Sequence, residues 1–210
     1  WHYNDRTWTI RADGTPARLL HERIMNMEIA GHEFFSADGK TVWYDLQTPR
    51  STVFWLAGVD LKTGHRTWYN LQRDEWSVHY NISPDGSVFC GDGGASQHGR
   101  PVATNGIYLF RPENGKLNVK MLCKLERHNY ELEPCVQFTP DGQSVIFRSN
   151  MHGRTMVYAV NVNSAKDSSA THGERKSHVA GYYPFLQHYA DMRPKKLSYL
   201  AQEWPDRDKW

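Results

Sequence analysis

An all-β chain folded as part of a β-propeller is the class this sequence predicts, from three recurrences. A tight-turn phrase appears as SADGKTVWY at 36–44, SPDGSVFCG at 83–91 and TPDGQSVIF at 139–147. A second kind of turn falls between these, in VDLKTG at 59–64 and LFRPENG at 109–115, each after an alternating strand such as TVFWLAGV or GIYLF. The turn glycines 39, 86 and 142 lie 47 and 56 residues apart (86 − 39 and 142 − 86). That is close to the ~40–45 residues of a four-stranded blade once loop insertions are allowed.

Taken in order, RTWTIRADG at 6–14 has the second-turn character and reads as the tail of one blade. Blades then begin near Gly31, Val78 and Glu133. In each, the turn aspartate can bond its own backbone, glycine supplies the positive φ, and the β-branched or aromatic residues that follow fit a half-buried pleat. Roughly three and a half blades result, against about 4–8 in a closed propeller. Open sheet edges invite pairing, so the expectation is a fragment with missing blades, or closure by self-association; the strand-like opening WHYNDRTWTI favours truncation. Residues 1–164 therefore form the partial propeller. From about Ala165 the alternation is lost, and 165–210 reads as a polar C-terminal segment, a loop with a short helix or closing strand around LSYLAQEW.

Composition fits a soluble globular protein, with 39% hydrophobic, 13% aromatic and 23% charged residues. The formal charge of +2 gives no field that would imply a nucleic-acid partner. No apolar run approaches the ~20 residues of a bilayer span, and no signal-peptide pattern opens the chain. A cleaved export signal would leave no trace, so cytoplasmic and periplasmic locations both stay open. Cys90, Cys123 and Cys135 are an odd set without C-x-x-C spacing, which indicates neither a disulfide framework nor a zinc knuckle.

In a blade the strand before the DG turn is innermost, so equivalent positions just ahead of each turn should face a shared channel. Counting back six residues from each turn aspartate gives His32, His79 and Cys135. Glu133, two residues before Cys135, falls on the same side of a strand with period two. Imidazole, carboxylate and thiolate are all ligands for a divalent metal, and imidazole is suited to proton transfer near neutral pH. One such histidine alone reads as a hydrogen-bonded structural residue; their shared repeat address points to a metal or acid–base centre.

At RTWTI followed by GHEFFSADGKTVWY, at VHYNISPDGSVFCGDGG and at VQFTPDGQSVIFRSNMHG, over about residues 1–162, the chain resembles the oligogalacturonate lyase family. That resemblance implies a seven-bladed propeller that cleaves short oligogalacturonides by β-elimination to a 4,5-unsaturated uronate, with a divalent metal, commonly Mn2+. It implies His32 as general base, Arg6 as catalytic arginine and His79 as a metal ligand. On the residues alone, Arg6 reads as a surface ion-pair partner. The family's other ligands form a Q-x-x-H-x-H arrangement, and here YELEPC puts Tyr130, Glu133 and Cys135 at those positions. This departure changes metal preference or leaves the site unmetallated. His128 is a further ligand candidate. Arg100, in the loop GDGGASQHGRP, and Arg148, in FRSN, are candidates to bind further uronate units, although the loop also reads as an ordinary inter-strand connection. Trp43, Trp55 and Trp68 read as sugar-stacking rings or as inter-blade core.

The competing class is a non-catalytic TolB-like or WD-like propeller that binds protein or glycan, its DG turns serving only to build blades. A peptidase cap is weaker still, because the chain has no G-x-S-x-G elbow.

Overall fold

A computed structural model describes residues 6–23, 25–72, 75–93 and 106–167 of the chain. The fold is all-β, as the turns predict. Its strands are β1 (Arg6–Thr9), β2 (Arg18–Glu22), β3 (Ile29–Phe35), β4 (Thr41–Gln47), β5 (Phe54–Asp60), β6 (Arg66–Asn70) and β7 (Ser77–Ile82). They continue as β8 (Phe89–Gly93), β9 (Gly106–Glu113), β10 (Lys116–Lys124), β11 (Gln137–Phe138), β12 (Ser144–Ser149), β13 (Met156–Asn161) and β14 (Lys166–Asp167).

Among the described residues these make four antiparallel sheets, β1–β2, β3–β4–β5–β6, β7–β8–β9–β10–β14 and β11–β12–β13. Each of the last three opens on the strand that precedes a DG turn. The order is a plain meander except at β14, which follows the fourth sheet in the chain but pairs with β10 at the edge of the third. The segment after residue 167, with the helix or strand expected near LSYLAQEW, lies outside the described residues. So does Arg100 with most of its loop.

The three DG turns are one device used three times. The Ser36 hydroxyl donates to Asp38 Oδ1 at 2.7 Å, that oxygen accepts the Lys40 N–H at 3.0 Å, and the Thr41 N–H closes back onto Ser36 Oγ at 2.9 Å. Asp85 with Ser83 and Asp141 with Thr139 repeat the pattern. Gly39, Gly86 and Gly142 sit at φ 69°, 73° and 69°, where a Cβ is strained.

Hydrogen bonds from the Ser36 and Ser83 hydroxyls, helped by the backbone amides of Lys40 and Ser87, hold Asp38 and Asp85 down at about 2. A carboxylate depressed in the folded state stabilises fully above its unfolded value of ~3.9, and that contribution disappears as pH falls toward about 2. The unfolding midpoint of the native chain is thus expected to drop between pH 4 and 2. Replacing both residues by Asn should flatten this part of the profile in thermal melts, and an unchanged slope would refute the assignment.

The third sheet packs on both faces. Toward the second sheet, Phe54, Leu56, Val78, Tyr80, Phe89 and Phe110 make one buried cluster, with Trp43 set edge-on against Phe89 at 4.8 Å. Toward the fourth, Cys90, Ile107, Val136, Phe138, Val145 and Phe147 make another. Gly58 faces Trp43 so closely that a Cβ would stand 2.5 Å from its ring. Trp55 is buried and donates its Nε1–H to Thr48 Oγ1 at 2.7 Å. Trp43 and Trp55 therefore fill the interior, not a sugar-stacking surface. Strands β3 and β11 both lie against β7, which brings the ends of the three DG-turn strands together.

Candidate active site

Where those strands meet, β-bulges re-aim the side chains. The β3–β4 register slips between Gly31 and Phe34, and the β7–β8 register slips between Ser77 and Tyr80, so His32 and His79 each lie in a break in the ladder. His32 has φ 52° and Cys135 also has φ 52°, a conformation uncommon for residues with a Cβ. Bulges turn a side chain off the regular pleat. The His32 and His79 rings meet edge to face with centroids 4.5 Å apart.

Behind each imidazole stands a buried carboxylate. His32 Nδ1 is 2.6 Å from Asp45 Oδ1, and His79 Nδ1 is 2.7 Å from Asp92 Oδ2. Asp45 is 1% exposed and also accepts from Gln47 Nε2 at 3.1 Å. Asp92, fully buried, further accepts the His79 N–H at 3.1 Å and the Cys135 N–H at 3.1 Å. Sequence reasoning missed both aspartates, yet the repeat contains them: each lies seven residues after its turn aspartate. The same count from Asp141 arrives at Arg148, so the third address pairs a thiol with a guanidinium in place of imidazole with carboxylate.

The hydrogen bond to Asp45 raises the pKa of His32 above the ordinary imidazole value, with the negative charges of Asp45, Asp92 and Glu133 adding to it and burial opposing. With Nδ1–H donated to Asp45, a neutral His32 keeps Nε2 as its proton acceptor.

A second group of donors lies alongside. His79 Nε2 is 3.5 Å from Glu133 Oε2, and His79, Glu133 and Cys135 each offer a ligand atom, all within 4.8 Å of one another. Their convergence does not come from the period-two strand expected for 133–135. That stretch precedes β11 and lies outside any strand, and the left-handed turn at Cys135 does the work. Burial, with the charges of Asp92 and Glu133, pushes the Cys135 thiol up, and Arg148 opposes this.

The remaining candidates divide. Arg148 stays beside the cluster, its Nε donating to the Glu133 carbonyl at 2.7 Å and its Nη2 3.8 Å from Cys135 Sγ. Tyr130 is buried and donates its hydroxyl to the Asp92 carbonyl at 3.1 Å, a supporting contact, with its pKa driven up by burial. His128 is outside the three-donor cluster. It is buried against the edge of Tyr130, its Nδ1 is 2.8 Å from Ser149 Oγ, and burial lowers its pKa. Arg6 lies on β1 with Nε and Nη2 donating to Glu22 Oε1 at 3.2 and 3.0 Å, the ion pair that the residues alone suggest. Thr7 beside it donates to Glu33 Oε1 at 3.1 Å, which ties β1 to the neighbour of His32.

No protein-family model matches the chain. The oligogalacturonide lyase of Pectobacterium atrosepticum is 26% identical over 176 residues, covering 75% of this chain and 43% of that protein. Two solved structures share the fold. One, an oligogalacturonate lyase in complex with manganese, has a TM-score of 0.59 at 23% identity and covers 73% of this chain and 40% of its own. The other, an oligogalacturonate lyase from Vibrio parahaemolyticus, has a TM-score of 0.58 at 22% identity and covers 74% and 41%. The chain thus spans less than half the length of each. In sequence the chain is thus similar to an oligogalacturonide lyase, and in fold to two oligogalacturonate lyases.

Proposed function

We propose that this chain carries the proton-abstracting part of a lyase that cleaves short oligogalacturonides by β-elimination, its sheets being blades of a larger propeller. The observation that carries the reading is the contact of two imidazoles, each backed by a buried carboxylate, beside a three-donor cluster. Elimination from a uronate removes the proton on the carbon next to the carboxylate and expels the glycosidic oxygen from the carbon beyond it. His32 Nε2 takes the proton, and Asp45 holds the ring in the required tautomer and stabilises the imidazolium that forms.

The donor set of His79, Glu133 and Cys135 fits a divalent cation, because Asp92 occupies His79 Nδ1 and leaves Nε2 aimed at the other two. When bound there, such a cation supplies Lewis-acid stabilisation for the negative charge that develops on the substrate carboxylate. Arg148, exposed beside the cluster, pairs with a further carboxylate of the oligosaccharide. Arg6 does the same only after parting from Glu22, and Arg100 lies outside the described residues.

Digalacturonate incubated with the full-length protein and manganese, and separately with zinc, is expected to give the ultraviolet absorbance of a conjugated double bond. No absorbance with either metal would overturn the reading. It would favour the alternative of a non-catalytic propeller that binds protein or glycan, to which the Cys135–Arg148 exchange already lends support.

A further inference from the structure

The three sheets that open on a DG turn present one address in two chemical versions. The first two hold an imidazole on a buried carboxylate, at 2.6 Å for His32 and Asp45 and 2.7 Å for His79 and Asp92. The third holds a thiol beside a guanidinium, Cys135 and Arg148, at 3.8 Å. Both members differ from those of the first two addresses, a sulfur and a cationic side chain standing where the others have a ring nitrogen and a carboxylate. That exchange puts a sulfur donor where the other repeats put nitrogen.

The sulfur is also in range of other donors. His79 Nε2, Glu133 Oε2 and Cys135 Sγ fall within 4.8 Å of one another, and the nitrogen and oxygen are already 3.5 Å apart. Zinc-class ions bond nitrogen and oxygen at ~2.0–2.2 Å and sulfur at ~2.3 Å, so small rotations of the partly exposed Glu133 and Cys135 side chains close the group around one ion. Thiolate sulfur favours zinc and its borderline neighbours, whereas manganese is at home among carboxylate, carbonyl and water oxygens.

We infer that His79, Glu133 and Cys135 form a mixed nitrogen, oxygen and sulfur centre selective for a zinc-class divalent ion, with Cys135 as the residue that sets the selectivity. This rests on the cation-holding part of the proposed site and deepens it. Arg148 stands next to the sulfur as its charge partner and is not itself a ligand.

Cobalt(II) is the probe, because a cobalt–thiolate bond has its own near-ultraviolet charge-transfer absorption. One equivalent of cobalt added to the full chain is expected to give that band, and Cys135→Ser is expected to abolish it. In competition dialysis the same substitution should weaken zinc by roughly tenfold or more while leaving manganese within a few-fold, so that the zinc-to-manganese preference collapses. Bound cobalt should also slow alkylation of Cys135, read by mass mapping against buried Cys90. Stoichiometric cobalt without the thiolate band, or an equal loss of zinc and manganese in Cys135→Ser, would overturn the inference, as would failure to bind cobalt at all. None of these readouts uses elimination activity. A thiolate band with no action on digalacturonate would reject the lyase reading and keep the centre, and activity without the band would do the opposite.

Discussion

His32→Ala is expected to lower the turnover of digalacturonate by about 10²–10⁴-fold, the range in which a positioned general base acts, while bound cobalt stays at the native level. The split follows from geometry. His32 touches the cluster through an edge-to-face ring contact with His79, whereas the donor atoms belong to His79, Glu133 and Cys135. The Asp45 carboxylate left behind is buried and keeps its bond from Gln47, so the variant should fold. Initial rates and metal content measured on one preparation check both halves. Loss of metal with turnover intact would reverse the roles of the two histidines.

Asp92→Ala is expected to be among the most damaging single changes to stability, on the order of 3 kcal/mol or more. One fully buried carboxylate accepts from the His79 ring, the His79 amide and the Cys135 amide, and so joins β7 to the segment leading into β11. Removing it strands three donors at the junction of the third and fourth sheets. It also frees the His79 ring, and loss of such an orienting partner typically costs about 10–100-fold in metal affinity. Urea unfolding and cobalt dialysis measure the two effects. A native-like midpoint in Asp92→Ala would show that this junction is held elsewhere.

Turn chemistry made the fold readable. The pairing of serine or threonine with aspartate and glycine acts within five residues, so local identity decides it, and three copies set the sheet boundaries. The meeting of His32 and His79 followed from repeat register. Their carboxylate partners fall equally on a forward count of seven, but Asp45 and Asp92 read as strand residues with no motif of their own. Pleat alternation would put Glu133 and Cys135 on one side, but the backbone at 133–135 is not a strand and does not follow it. Residues near 125–136 turn back on themselves instead, with the His128 amide bonded to the Leu125 carbonyl at 3.3 Å and the Leu132 amide to the Asn129 carbonyl at 3.2 Å. That path carries His128 inward, which spacing from Tyr130 could not reveal.

The left-handed backbone at residues 32 and 135 bears on how this protein trades robustness for chemistry. Glycine adopts that conformation freely, while a residue with a side chain pays on the order of 1 kcal/mol or more to hold it. At both positions the fold would be content with glycine and instead carries an imidazole and a thiol. The strain is a standing cost that folding never recovers, and under the function proposed above it is borne for an imidazole and a thiol that meet at the candidate site.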